Sequence, residues 1–567
     1  MKTTDTSDLA RTRNLLSRLE AGDRVDYDFI VCGAGTTGSV VARRLAEGLG
    51  ASVLLLEAGG DDDVESIMDP QRWPANLGTE RDWGFVAEEN VHLNNRALPM
   101  SMGKVLGGGS SINVMCWARG HKADWNFFAA EAGDPAWGYD NVLEIYRSVE
   151  NWTGTPDPVR RGTRGPVHVE PIPDPQPCAV ATIEAAKSLG LPAYDSPNGA
   201  MMEGPGGAAM LEVLTKDGRR QSIYRAYVVP VLGRVDLTVL TGAVVQRIVV
   251  VGRRATAVEV KIGGTVHEIT ARSEVIVSLG AINTPKVLLQ SGIGDERQLR
   301  YFGIPVNAHL PGVGRNLQDH LAFPVEWEFP PGWGPDARGQ ACIYWSSESG
   351  LAAPDQYACF TGIPFGTPET AERFPLPASA WFLYGTVARP QSRGTVTLTG
   401  SHPCDPVQVH ANSLAHPEDV AKSRQCVEFL REFGNAAELR PYVRRPVMPG
   451  DLAGRDLDEF LRNAGGSFWH QVGTAKMGRG PMSVVDAQLK VHGLDGLRVA
   501  DGSVLPRLTT GNTMAPCVVI GELAGTHCRA PGIGAPPGDR VIYARRRIAT
   551  RKSESSLNGR TSQVDRS

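Results

Sequence analysis

At 567 residues the chain is too long for one hydrophobic core, so two large domains, or one large domain with a cap, are expected. Its 41% hydrophobic and 21% charged residues exclude a chain that is disordered over most of its length. With 58 Lys plus Arg against 62 Asp plus Glu, a formal net charge of -4, nothing recommends nucleic acid as a partner.

The first two dozen residues, MKTTDTSDLARTRNLLSRLEAGDR, read as a polar leader without the apolar stretch of a secretory signal. No later run approaches the roughly 18 to 20 apolar residues of a membrane span, so no membrane partner is expected. Nine cysteines are scattered without CxxC pairs, which predicts a reducing, cytoplasmic compartment and no metal site.

Tyr27 to Gly60 reads as strand, tight glycine turn, helix, strand. Tyr27 to Cys32 is a continuous β-prone run of the kind a parallel strand buried on both faces shows. Gly33, Gly35 and Gly38 then form GxGxxG. The first allows the turn, the second lets backbone approach a pyrophosphate, and the third lets helix pack on strand. A second run, Ser52 to Leu56, ends in Glu57, nineteen residues after Gly38, where a carboxylate can accept hydrogen bonds from a ribose diol. A free 2′-hydroxyl favours FAD or NAD over NADP; the competing reading makes Glu57 a solvated loop carboxylate.

Further strands are predicted at Leu237–Leu240, Val244–Val251, Ala255–Ile262 and Glu274–Ser278. Two blocks, from about Asn151 to Gly218 and from about Phe323 to Arg462, are rich in Pro, Gly, Trp and Tyr and lack a βαβ rhythm, so they are assigned to a second domain over the cofactor. From about Ala530 the composition turns to Pro, Gly and Ser with a basic run at Ala544–Lys552, which reads as a solvated tail.

The segment GSFWHQVGTAKMG, Gly466–Gly478, sets one histidine between a tryptophan and a glycine-rich turn. A solitary histidine in an apolar setting is more often a core residue than a base, so residue type alone leaves His470 open. Met102–Trp117 carries three glycines and two serines in a row, but its lysine precedes the glycines and no GK[ST] follows, so it is not a nucleoside-triphosphate loop.

GKVLGGGSSINVMCW in that segment resembles the first signature of the GMC (glucose-methanol-choline) oxidoreductases, which use FAD. GAINTPKVLLQSGIG (Gly280–Gly294) resembles their second signature, and GVGRNLQDH (Gly312–His320), RPQSRGTVTL (Arg389–Leu398), HQVGTAKMG (His470–Gly478) and LRVADGSVLPRLTTGNTMAP (Leu497–Pro516) follow in family order. The resemblance implies an α/β fold: a Rossmann-like FAD-binding domain (25–155, 215–322 and 478–530) with an α+β substrate-binding domain (156–214 and 323–477), then a disordered tail at 531–567. It implies that Gly33, Gly35, Gly38 and Glu57 hold the ADP half of FAD and that Val245 meets the adenine through its backbone. The Val105–Val114 loop, with Gly108, would run along the pyrophosphate and isoalloxazine, Asn113 near the ring. Asp501 and Gly502 would approach the phosphate or ribityl chain, and Asn512, Thr513 and Pro516 would lie beside the flavin.

The same resemblance makes His470 the general base and Asn512, forty-two residues later, its hydroxyl partner. An imidazole with an ordinary pKa near 6.5 is largely neutral at working pH and accepts the hydroxyl proton as a hydride leaves the alcohol carbon. Asn512 cannot act as a base, but its amide orients the hydroxyl and stabilises developing alkoxide charge. Ile112 stands where some members carry the histidine that binds FAD covalently, so non-covalent FAD is expected. Phe468 stands where some oxidases have valine, which leaves oxygen or another acceptor open. Phe468 and Trp469, with Tyr344, Trp345, Phe360, Trp381 and Tyr384, would line an apolar pocket or serve as ordinary core aromatics. The expected reaction is oxidation of an apolar or aromatic primary alcohol to the aldehyde. The alternative is a hydroxynitrile lyase-like enzyme without net redox, and the oligomeric state stays open.

Overall fold

The computed structural model describes residues 6–528, so the expected tail at 531–567 lies outside the described residues. Two seven-stranded sheets organise the chain. The first has a parallel core in the order Leu497–Val499, Thr265–Val277, Asp26–Cys32, Val53–Leu56, Leu237–Leu240. Phe29–Cys32 and Val53–Leu56 are buried throughout, as strands covered on both faces require. Thr265–Val277 is long enough to do two jobs. Its first half pairs antiparallel with Arg254–Ile262, which pairs with Ala243–Val251, and its second half joins the parallel core.

The helix after the glycine turn, Thr36–Leu49, packs against the last of the described helices, Met514–Cys528. Small residues permit the approach: a Cβ on Gly521 would stand 2.6 Å from Val40 Cβ. The polar leader of the sequence analysis forms a helix, Thr6–Glu20, which buries Leu15 and Leu19 in the core of this domain. Two leucines four residues apart lie on one helical face, and that sufficed to dock an otherwise polar segment.

The second sheet is antiparallel, in the order Arg445–Met448, Leu321–Glu328, Ala380–Val387, Gln356–Gly362, Asp336–Trp345, Gly207–Met210, with Gly466–Ser467 also on Leu321–Glu328. Its strands are buried on both faces, and side chains alternate between two apolar clusters. Ile343, Trp345, Phe360, Trp381 and Leu383 enter the domain core, which helix Pro417–Phe433 covers with Cys426, Val427 and Leu430. Cys342, Tyr344, Tyr357, Phe382 and Tyr384 face the opposite side, in a cluster that includes Phe468 and Cys116. Among the described residues, no helix is long and apolar enough to cross a membrane.

Candidate active site

The carboxyl ends of the parallel strands converge on one cavity of about 300 Å³, the place where doubly wound sheets bind ligands. Gly33 follows the first strand, Glu57 the second, Ser278–Gly280 the third, and Asp501–Gly502 the segment Leu497–Val499; all line the cavity. Gly33 has φ +98°, and a Cβ there would stand 2.4 Å from Ser278 O, so the turn admits glycine alone. A Cβ on Gly38 would meet Gly33 O at 1.9 Å, which is the close helix–strand packing the third glycine serves. Across the opening, a Cβ on Gly108 (φ +53°) would approach Gly35 Cα to 2.8 Å, so two glycine backbones form opposing walls of a narrow cradle.

Glu57 Oε2 accepts from Ala34 N at 3.0 Å and Oε1 from Gly59 N at 2.9 Å. Burial outweighs these donors and pushes its carboxyl up to about 7. Asp501 braces the chain: Oδ2 accepts from Gly280 N at 2.9 Å and Thr284 Oγ1 at 2.6 Å, and Oδ1 from Ser503 N at 2.8 Å. Gly35, Gly108, Asn113, Val245, Gly502 and Thr513 also line the cavity. Val105 and Pro516 do not. Val105 is buried with Ile67 and Met68 behind the wall, against the cavity-lining Ile112, and Pro516 is buried in the first turn of helix Met514–Cys528.

The cavity is also lined by Phe468, Trp469, His470 and Asn512. His470 and Asn512 meet: Asn512 Nδ2 lies 3.1 Å from His470 Nε2. Behind His470, its Nδ1 lies 2.9 Å from His320 Nδ1, and His320 Nε2 lies 2.9 Å from Ala388 O. These contacts fix the protons in turn. A carbonyl only accepts, so His320 carries its proton on Nε2 and offers Nδ1 as an acceptor. His470 must then donate from Nδ1, which leaves the Nε2 lone pair facing Asn512 and the cavity. Both rings are neutral: burial holds His320 down at about 4, and burial followed by the neighbouring His320 holds His470 well below 6.5. Tyr357 OH, 3.3 Å from His320 Nδ1 and 3.2 Å from His470 Nδ1, closes the group.

The backbone delivering His470 is strained. Trp469 has φ +60°, a left-handed conformation that costs a bulky residue of order 1–3 kcal/mol. Asp319 holds it: the carboxylate accepts from His470 N at 2.8 Å, from Gln471 Nε2 at 3.2 Å and from Ser467 Oγ, which in turn accepts from Trp469 N at 2.9 Å. Phe468 stacks on His470 with ring centroids 4.9 Å apart and planes 12° apart, and Trp469 meets Trp73 edge to face at 5.9 Å.

The choice between pocket lining and core that the sequence leaves open for the aromatics is decided residue by residue. Phe468 and Trp469 line the cavity, whereas Tyr344, Trp345, Phe360, Trp381 and Tyr384 do not. Strand alternation sends Trp345, Phe360 and Trp381 into the domain core, and Tyr344 and Tyr384 pack in the layer behind Phe468. Trp73, Leu77 and Trp83, from a stretch that carries no recognisable motif, take their place. His320, Tyr357, Ala388 and Asp319 were also unassigned. The signal for two of them was present, since Asp319-His320 ends the segment GVGRNLQDH.

The cavity fits a dinucleotide with a flat redox ring. It offers the glycine cradle, a carboxylate for a diol, and two buried, cavity-lining amide atoms without partners, Asn283 Nδ2 and Asn512 Oδ1.

Comparison with known proteins agrees. The oxygen-dependent choline dehydrogenase of Sinorhizobium fredii (strain NBRC 101917 / NGR234) is 37% identical over 536 residues, 88% of this chain and 95% of its own. That of Rhizobium meliloti (strain 1021) is 35% identical over 571 residues, 95% of this chain and all of its own. The solved pyridoxine 4-oxidase from "Mesorbium loti" superposes with TM-score 0.82 at 30% identity, covering 88% of this chain and 98% of that one. A fungal aryl-alcohol oxidase shares the fold at TM-score 0.77 and 24% identity, covering 89% of this chain and 99% of that one. The GMC oxidoreductase family models match residues 27–322 and 390–521. The chain therefore belongs to the GMC oxidoreductases, FAD-dependent enzymes that act on CH–OH groups.

Proposed function

We propose that this chain oxidises a small cationic alcohol of the choline type to its aldehyde, with His470 as general base. The observation that carries the reading is the His470–Asn512 pair, whose Nε2 lone pair and amide NH2 meet at 3.1 Å on the cavity wall. Relatives 35–37% identical are oxygen-dependent choline dehydrogenases, which favours a cationic alcohol over the apolar or aromatic one expected from sequence. Trp73 and Trp469 on the cavity wall suit that choice, because an indole face attracts a quaternary ammonium, whereas the Trp83 ring already carries Lys104 Nζ 5.1 Å from its centroid.

Gly33, Gly35, Glu57, Gly108, Asn113, Val245, Gly502 and Thr513 would hold FAD. Ile112 offers no nucleophile for a covalent link, which supports non-covalent binding. FAD, when bound, supplies the hydride acceptor for the alcohol carbon. His470 Nε2 takes the hydroxyl proton, and the His320 Nδ1 acceptor behind the ring holds its Nδ1 proton in place. The substrate hydroxyl takes the place of the Asn512 N–H on the single His470 Nε2 lone pair, and the freed amide donates to the substrate oxygen as it gains charge. Phe468, stacked on His470, shields the base from water. Oxygen or another acceptor completes the cycle.

On this reading the FAD-binding parts are 25–155, 215–322 and 478–530, and the substrate parts are 156–214 and 323–477. The mixed sheet draws its strands from the first set, and the antiparallel sheet draws from the second, with Leu321–Glu328 starting two residues before the boundary. Nine free cysteines support a reducing, cytoplasmic compartment.

The test is to mix anaerobic holoenzyme with choline, an aryl alcohol, an aliphatic alcohol and a sugar, follow the flavin absorbance, then admit air. Bleaching by choline at low concentration is expected. Bleaching by the aryl alcohol but not by choline would overturn the substrate assignment, and no bleaching by any alcohol would favour the lyase. The rate of recovery in air separates oxidase from dehydrogenase.

A further inference from the structure

Arg220 lies in the short hairpin of Thr215–Lys216 and Arg219–Arg220, and it is 2% exposed. Its guanidinium reaches the back of the cavity wall. Nε donates to Ile67 O at 2.8 Å, Nη1 to Ser110 O at 3.2 Å and Asn113 Oδ1 at 2.9 Å, and Nη2 to Asn113 O at 2.6 Å. All four acceptors are neutral oxygens. The carboxylate whose charge it feels, Asp62, is bonded to Arg225 and Ser222 instead. Burial pushes the guanidinium down to about 9, which leaves it a cation at neutral pH. A buried ion is costly unless an opposite charge attends it; the charge that reaches Arg220 is that of Asp62, already shared with Arg225, and its direct partners are all neutral, which points to a further negative charge that arrives with function.

The bonds also settle which way Asn113 faces. Its Oδ1 accepts from Arg220 Nη1 and from Met115 N, each at 2.9 Å, so the amide cannot be reversed without setting donor against donor. The NH2 is left to the cavity that Asn113 lines, where its protein partner is Met514 Sδ at 3.2 Å, a weak acceptor that a ligand oxygen or nitrogen displaces.

We propose that Arg220 is a positioning residue for the redox chemistry: it pins the Asn113 amide as a donor into the cavity and, through it, balances the negative charge the bound flavin gains on reduction. The proposal rests on the flavin reading above. In that reaction the alcohol C–H bond breaks, its electron pair and hydrogen pass as hydride to the neutral ring, the hydroxyl proton passes to His470, and C=O forms. The ring thereby gains one negative charge and the alcohol carbon is oxidised.

The test is to prepare FAD-loaded Arg220→Met and measure the flavin content, the oxidised visible spectrum, and the equilibrium of reduction against a dye of known potential. A shift of at least about tenfold toward the oxidised form is expected, about 30 mV for a two-electron couple. Arg220→Lys, which keeps the charge, is expected to recover part of it. An unchanged equilibrium in loaded Arg220→Met would overturn the proposal and leave Arg220 a structural clamp. Should that variant emerge without flavin, Arg220→Gln, polar but uncharged, carries the same test with the same overturning result. Loss of flavin from both variants with the fold intact would also overturn it, making Arg220 a binding residue. Failure of the flavin reading itself is distinct, because wild-type protein would then purify without the flavin chromophore.

Discussion

His320 Nδ1 and His470 Nδ1 stand 2.9 Å apart, and because Ala388 O claims the far side of His320, the pair has one proton arrangement that satisfies every contact. A backbone carbonyl thus decides, through two imidazoles, that the nitrogen facing the cavity is the basic one.

Replacing His320 by Phe removes the acceptor and frees His470 to carry its proton on either nitrogen. Flavin reduction is expected to slow by about 10- to 1000-fold while FAD content holds, as when a base loses the group that fixes its tautomer. Single-turnover bleaching measures it. An unchanged rate would show that the tautomer is set elsewhere.

The pH profile follows from the same burial. The proton affinity of His470 is depressed, so lowering the pH from about 8 to about 6.5 does not protonate it, and protonation, when it comes, removes the base and lowers the rate. The rate constant for flavin reduction is expected to vary by less than about twofold over that range and to fall only in more acid solution. Burial also pushes the Asp319 carboxyl, bonded to His470 N, up to about 7, so a half-maximal point at or above pH 7 that persists in Asp319→Asn would contradict the assignment of the base.

Asp319 restrains a turn that the backbone alone disfavours. Asp319→Ala leaves donors at Ser467, His470 and Gln471 without their acceptor, which costs about 2–4 kcal/mol and lowers kcat more than it raises KM. Asp319→Asn keeps the shape and one acceptor oxygen, so its losses are expected to be smaller. Denaturant melts and steady-state kinetics on both variants check the ordering.

Gly33→Ala forces a Cβ onto Ser278 O at a positive φ. The turn must open, so the purified variant is expected to hold little FAD and to lose at least about 1–3 kcal/mol. Flavin retained at wild-type stoichiometry would show that the turn is not needed for binding.

The parts of the site legible in sequence are those whose chemistry is local. The buried run Phe29–Cys32, the three glycines and Glu57 lie within one βαβ unit, where spacing carries the meaning. Leu237–Leu240 spans the residues expected, while Glu274–Val277 proves to be the end of a longer strand whose first half serves another pairing, with Ser278 just past it. His470 and Asn512 were read from resemblance, and the fold brings them within hydrogen-bond reach across forty-two residues. His320 ends the segment GVGRNLQDH, but it lies 150 residues from His470, so that motif alone does not state what it touches, and Ala388 contributes only a carbonyl that every residue possesses, so no signal marks it. For Tyr344, Trp345, Phe360, Trp381 and Tyr384 the sequence leaves pocket lining and core both open, because aromatic content does not state which face of a strand points inward; register does, and register is a tertiary property.

The most direct measurement is the single-turnover rate at which choline bleaches the flavin of FAD-loaded His470→Ala, set against wild type under the same anaerobic conditions. The account predicts a fall of about 10²- to 10⁴-fold with FAD still bound. Bleaching at a near wild-type rate would show that the alcohol proton leaves by another route, and His470 would then be no base.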